Sequence, residues 1–152
     1  MNQNSNHPAT SDHEDIAIST RQIIGDSPIM VNEIFAGCMY TAIYGTLDSI
    51  RIKGLSDTIL NISSQSDTDI IIIDLSNIDI IDSLIASHII KLNKTLQLVG
   101  VEVIFCGIKP VVAQSMVSTG VLMDNITVLK NLKRALTEVY RMKGYHLVRV
   151  DS

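Results

Sequence analysis

Hydrophobic and polar positions along this chain follow two periods that replace one another. Residues 29–34 and 38–44 are rich in β-branched and aromatic side chains and flank Ala36-Gly37, which predicts two strands joined by a tight turn. Leu47, Ile50, Leu55, Ile59 and Ile62 then recur every three to five residues, predicting a helix with one apolar face and a cap at Thr46 or Asp48. Residues 69–75, Asp-Ile-Ile-Ile-Ile-Asp-Leu, are apolar toward both sides, as suits a central parallel strand covered on both faces. Ile85, Ile89, Leu92, Leu96 and Val99 mark a second helix ended by Gly100. Residues 101–106 form another strand, and Pro110 opens a third helix that stops at Gly120. A short strand is expected at 126–129, and Leu129, Leu132, Leu136, Val139 and Met142 give a last amphipathic helix.

Upstream, residues 16–24 form a short mixed segment, expected as a connecting helix, before Gly25-Asp26-Ser27-Pro28 breaks the pattern. The expected organisation is a flexible tail and connector over 1–27, one domain over 28–145 and a C-terminal tail over 146–152. Strands alternating with helices imply an α/β sheet with right-handed crossovers.

The 152 residues suffice for one domain with a real core. No apolar run approaches the roughly 18 residues of a membrane span, and the polar first residues lack the apolar stretch of a secretory signal. A cytoplasmic protein is expected. Cys38 and Cys106 sit among apolar neighbours and read as reduced core thiols. The net charge of −4 makes nucleic acid a poor partner. A hydrophobic content of 46% fits a protein that hides extra apolar area by self-association.

The residues best placed for chemistry come after the isoleucine-rich strand. The loop Ser76-Asn77-Ile78-Asp79-Ile80-Ile81-Asp82 leaves its carboxyl end, where open α/β sheets place functional groups. It delivers Ser83 to a helix N-terminus, where free N–H groups and the helix dipole favour a phosphate. Either Asp82 or Ser83 could equally serve only as the helix cap.

Several short segments, in this order and spacing, resemble the signatures of STAS domains, the fold of anti-sigma factor antagonists and bacterial stressosome proteins. They are Tyr44-Gly-Thr-Leu-Asp-Ser49, Ile73-Asp-Leu-Ser76, Ile81-Asp-Ser83, Gly107-Ile-Lys-Pro110, and Ala113-Gln-Ser115 followed by Gly120-Val121. The resemblance runs from about Pro28 to Met142. It implies a STAS-like α/β fold, a four- to five-stranded mixed sheet flanked by about four helices. It also implies that Ser83 is phosphorylated by a serine/threonine protein kinase of the anti-sigma type, with Ser115 near a second phosphorylatable position of some scaffold members. Leu84-Ile85-Ala86 after the serine is closer to the stressosome branch than to simple antagonists, which carry a small residue and glycine there. Only a short tail precedes the motifs, so sensing by this chain itself is not expected. The implied function is a phosphorylation-regulated binding module that switches partners in a bacterial stress or sigma-factor pathway, with no catalytic activity and no cofactor. Asp79, Ile80, Ile81, Asp82, Leu84 and Ile85 would form the recognition surface, and other STAS proteins would be partners in a homo- or hetero-oligomer, without nucleic acid or membrane.

Two alternatives come from other classes. In a response-regulator receiver, Asp74 would accept the phosphoryl group with Lys109 as its partner, but the acidic pair that holds Mg²⁺ after the first strand is missing. A small-ligand or nucleotide site is the other, since some STAS domains are reported to bind such molecules. For an enzyme, the chain lacks a Gly-rich phosphate loop and any Cys/His spacing suited to zinc, and His7, His13, His88 and His146 are scattered.

Overall fold

The computed structural model describes residues 19–24, 27–120 and 123–151. One sheet holds β1 (Ser19–Ile24), β2 (Ser27–Phe35), β3 (Cys38–Tyr44), β4 (Ile70–Asn77), β5 (Glu102–Cys106) and β6 (Thr127–Leu129), in chain order from edge to edge. The first three pair antiparallel and β3 to β6 pair parallel. Each parallel step needs a crossover, supplied by α1 (Ser49–Gln65), α2 (Ser83–Leu98) and α3 (Pro110–Ser118). Because the strands advance in one direction, right-handed crossovers put all three helices on the same face. The final helix, α4 (Leu132–Met142), covers the other.

Two apolar clusters result from that layering. Ile71, Ile73 and Leu75 of β4 join Met39, Val103 and Phe105 under Ile52, Leu55 and Ile59 of α1 and Ile85, Ile89 and Leu96 of α2. Ile70 and Ile72 point the opposite way and join Cys38, Ile104 and Cys106 beneath Ala135 and Val139 of α4. All four isoleucines of β4 are at most 3% exposed, so neither face of this strand meets water.

The sheet holds the five expected strands and one more. Residues 16–24 were expected as a connecting helix; instead Ser19–Ile24 is the edge strand β1, paired along its length with β2. The β2–β3 hairpin offers an unpaired edge that fixes the extended state, which local composition alone does not decide. Residues 1–18, including the tail, lie outside the described residues. Ile50, counted in the apolar face of α1, is 72% exposed, and Val99 is the exposed C-cap of α2 rather than part of its packed stripe. Leu129 ends β6, and Asn131 caps α4 by accepting from the Arg134 N–H at 3.0 Å.

Helix ends decide where the loops lie. The Val101 N–H reaches the Leu96 carbonyl at 3.0 Å and the Gly100 N–H reaches Gln97 at 3.1 Å, a Schellman end that turns the chain directly into β5. Gly107, just past β5, also has a positive φ of 73°, but for a second reason. A Cβ there would lie 2.7 Å from the Ser76 Cβ and 2.9 Å from Asp74 Oδ1, whereas one on Gly100 would meet nothing within 4 Å. Among the described residues no helix is long and apolar enough to cross a membrane.

Gly100→Ala is therefore expected to lose about 1–2 kcal/mol, the cost of a left-handed alanine. Gly107→Ala should lose more, because the clash with β4 adds to the same backbone cost, and urea unfolding of the two variants reads the difference. Equal losses would contradict the close approach of Gly107 to β4. Burial pushes the thiol of Cys38 up to about 11 and that of Cys106 up to about 12. The native state keeps both neutral while the unfolded chain ionises them from about pH 9, so stability should be intact below that pH and decline through the interval up to about 12. Urea unfolding at about pH 8 and pH 10 should show this decline, and it should be shallower in a Cys38→Ala/Cys106→Ala variant.

Candidate functional site

The loop from β4 to α2 is held by inward-facing isoleucines. Ile78 (1% exposed) and Ile81 (4%) enter the main core, and the Ile78 N–H bonds back to the Leu75 carbonyl at 3.0 Å. Between and beyond these anchors, Asp79, Ile80, Asp82, Ser83 and Leu84 face solvent. Ile81 and Ile85, expected on the recognition surface, are core residues instead. They share the side of the chain that packs on β4, and their role is to fix the exposed residues between them.

The two possible caps of α2 separate cleanly. Asp82 is the N-cap, accepting from the Ile85 N–H at 2.8 Å through its carboxylate. Ser83 is the first helical residue; its carbonyl accepts from Ser87 Oγ at 2.9 Å. Its own hydroxyl is exposed and makes no hydrogen bond among the described residues. The dipole of a 16-residue helix favours negative charge at this end.

A neighbouring loop is tied to this one. Lys109, the N-cap residue of α3, forms an ion pair with Asp79. Asp79 is largely exposed and Lys109 partly so, and the pair adds at most about 1 kcal/mol, but it ties the Gly107–Pro110 turn to the Asp79–Ser83 loop. Ser115 lies mid-helix in α3, with its hydroxyl donated to the Val111 carbonyl at 3.1 Å.

Behind the loop, Asp74 acts as a clasp. Its Oδ1 accepts from the Ser76 N–H at 2.9 Å and from Ser76 Oγ at 2.6 Å, and its Oδ2 accepts from the Tyr40 hydroxyl at 3.1 Å. Burial first, and then the charge and hydrogen bond of Asp74, push the Tyr40 hydroxyl far above its ordinary value, so it stays a donor. The carboxylate of a receiver would be open to phosphoryl transfer with a lysine beside it. Here Asp74 is closed off by three donors and Lys109 pairs with Asp79, so the receiver arrangement is not realised.

Three exposed apolar residues belong to the same edge: Tyr44 and Val111, which the periodicity of the sequence does not mark, and Ile50, which it counts into the buried face of α1. Tyr44 ends β3, and Ile50 and Val111 are each the second residue of a helix, as is Leu84. All stand where the parallel strands finish and the helices begin, and each is more than half exposed, as is Ile80. For Leu84 and Val111 the signal is an apolar second residue of a helix that stays exposed, whereas Ile50 shares the spacing of the buried stripe and Tyr44 closes a strand. Together with Asp48, Asp82 and the Asp79–Lys109 pair they make a largely apolar rim with a small acidic excess around Ser83.

His88 is half-buried and lines a separate groove of about 470 Å³ between α1 and α2, with Lys53, Asp57, Lys91 and Leu92. It is not paired with Ser83. Among the described residues, no three His, Cys, Asp or Glu side chains converge as metal ligands.

Comparison with known proteins agrees with this geometry. The family model for the STAS domain matches residues 30–136. The RsbT co-antagonist protein RsbRA of Bacillus subtilis (strain 168) is 24% identical over 115 residues, covering 76% of this chain and 42% of RsbRA. The chain spans less than half the length of the RsbR co-antagonists it matches. RsbS of Moorella thermoacetica superimposes with a TM-score of 0.67 at 20% identity, over 76% of this chain and 97% of RsbS. The anti-sigma factor antagonist SpoIIAA is similar in its unphosphorylated form (TM-score 0.61, 16% identity, 80% of this chain and 99% of that one). Its phosphorylated form gives a TM-score of 0.56 at 15% identity, over 73% of this chain and 98% of that one. With the family model spanning most of the sequence, this chain belongs to the STAS domain family.

Proposed function

We propose that this protein is a phosphorylation-regulated binding module of a stress or sigma-factor pathway, with Ser83 as the acceptor and a serine/threonine kinase of the anti-sigma type as its partner. The observation that carries this reading is the division of labour at the start of α2: Asp82 makes the cap and leaves the Ser83 hydroxyl exposed and uncommitted. Nothing structural is lost when that hydroxyl is modified. SpoIIAA, whose fold this chain shares, has been solved both with and without its phosphate, and the stressosome relatives supply the pathway.

The physics of the switch is electrostatic. A phosphate adds about −1.5 to −2 charges at the positive end of α2, where the dipole tolerates them, so the fold survives. It stands beside Ile80 and Leu84, which offer an unmodified partner an apolar contact, and beside Asp79 and Asp82. A partner docked there must then desolvate the new charge and meet like charges. Modification thus changes which partner binds without unfolding the protein. The same rim acts by binding and carries no catalytic group.

Two variants separate the roles of the adjacent residues. Ser83→Glu should change unfolding stability by less than about 0.5 kcal/mol, yet weaken binding of the purified kinase at least about tenfold by calorimetry, or about 1.4 kcal/mol. Asp82→Ala should do the converse. It loses about 0.5–2 kcal/mol of stability with the cap and keeps Ser83 as an acceptor. Equal kinase affinity of wild type and Ser83→Glu would contradict the switch.

A further inference from the structure

The groove between α1 and α2 opens to solvent, and the switch at Ser83 makes no use of it. Its volume of about 470 Å³ falls within the roughly 300–1,000 Å³ of small-molecule sites. Helical spacing builds it. Positions 53, 56, 57 and 60 of α1 form one stripe, and positions 88, 91, 92 and 95 of α2 form the stripe across from it. Leu92 is buried and Leu60 half-buried, both packed on the main core, so they give the groove an apolar floor. The exposed Lys53 stands on one wall and the exposed Lys91 on the other, with the half-buried His88 one turn before Lys91. Among the described residues neither lysine has an ion-pair partner. Asp57 follows Lys53 by four positions, the less favourable order for a helical ion pair. Ser56 and Thr95 donate their hydroxyls to the Ile52 and Lys91 carbonyls, each at 2.8 Å, so toward the groove they can only accept. Together α1 and α2 carry four Lys and Arg against one carboxylate, in a chain of net charge −4.

We propose that this groove binds a small amphipathic carboxylate, its apolar body resting on Leu60 and Leu92 and its single negative charge held between Lys53 and Lys91. The inference goes beyond the phosphorylation switch and does not depend on it. Charge and shape together select this class of ligand. Two lysines against Asp57 leave a surplus of one positive charge, which matches a monoanion, whereas a dianion would also have to face the Asp57 carboxylate. The His88 ring carries an N–H in either protonation state and adds a third donor for the carboxylate. One aspartate is too few ligands for a divalent cation. A nucleotide fits poorly, because among the described residues the lining has no Phe, Tyr or Trp to hold a base and no glycine-rich loop for its phosphates. A wholly apolar ligand would use the floor and gain nothing from the lysines. Leu84, four residues before His88, continues the α2 stripe toward the rim, so the ligand lies along the helix that carries Ser83.

Calorimetric titration of the unmodified full chain with decanoate, kept below the concentration at which it forms micelles, tests this. Decanoate should bind saturably, at one site per chain. Lys53→Gln/Lys91→Gln should weaken binding at least about tenfold, and Thr95→Phe, which fills the hollow, should do the same. All three positions are at least partly exposed, and circular dichroism checks that the variants fold. Lys130→Gln/Lys133→Gln removes the same charge from exposed positions outside the groove and should leave the affinity unchanged. Decanol, the same apolar body without the charge, should bind at least about tenfold more weakly than decanoate. Absence of saturable decanoate binding overturns the proposal, as does equal affinity for decanol or an equal loss in the two lysine pairs. Tighter binding of decyl phosphate than of decanoate overturns the carboxylate in favour of a phosphate head. None of these results depends on whether Ser83 is ever phosphorylated, so the inference can fail while the switch stands.

Discussion

Four consecutive isoleucines on β4 have no polar side to offer, so both faces of that strand must be covered by other elements. At roughly 1.5–3 kcal/mol for each such side chain taken out of water, this is the dominant local source of stability. It sets the rest of the layout. One face recruits α1, α2 and α3, the other recruits α4, and the parallel neighbours β3 and β5 come into register along the same residues. The end of β4 is thereby fixed in space, and the loop beyond it is presented from a rigid base.

Along that loop the chain passes from apolar to polar chemistry within a few residues. Asp74 closes the strand by gathering Ser76 and Tyr40, and Gly107 has no side chain because this clasp fills the space beside it. Ile78 and Ile81 return the loop to the core, Asp82 caps α2, and Ser83 is left over. A residue with no structural task in so constrained a position can be modified at little cost to the fold, and its modification is felt at once by anything resting on Ile80 and Leu84. In the proposed switch, regulation and stability are divided between adjacent residues.

Much of this is legible from the sequence because the strongest signals are local. The isoleucine run, the Pro110 start, the Gly100 stop and the order of elements come from period and punctuation. The features that escape are ones in which distant segments decide the outcome. β1 is a strand because β2 offers it an edge. Ile50 is exposed although its spacing fits a buried face, and Ile81 is buried although it lies in a surface loop. Asp74 and Lys109 look like partners in sequence but pair with Tyr40, Ser76 and Asp79 in space. The basic bias of α1 and α2 is hidden inside a net charge of −4, since a total says nothing about segregation.

The central claim is that Ser83 is the hydroxyl that carries the signal. Peptide-mapping mass spectrometry on the protein from its native cells, before and after stress, tests it most directly. A phosphate on Ser83 whose occupancy changes with stress is the predicted result. A well-covered Ser83 peptide without phosphate in both states, or phosphate confined to Ser115, would contradict the account and leave Ser83 as an exposed residue without a regulatory role.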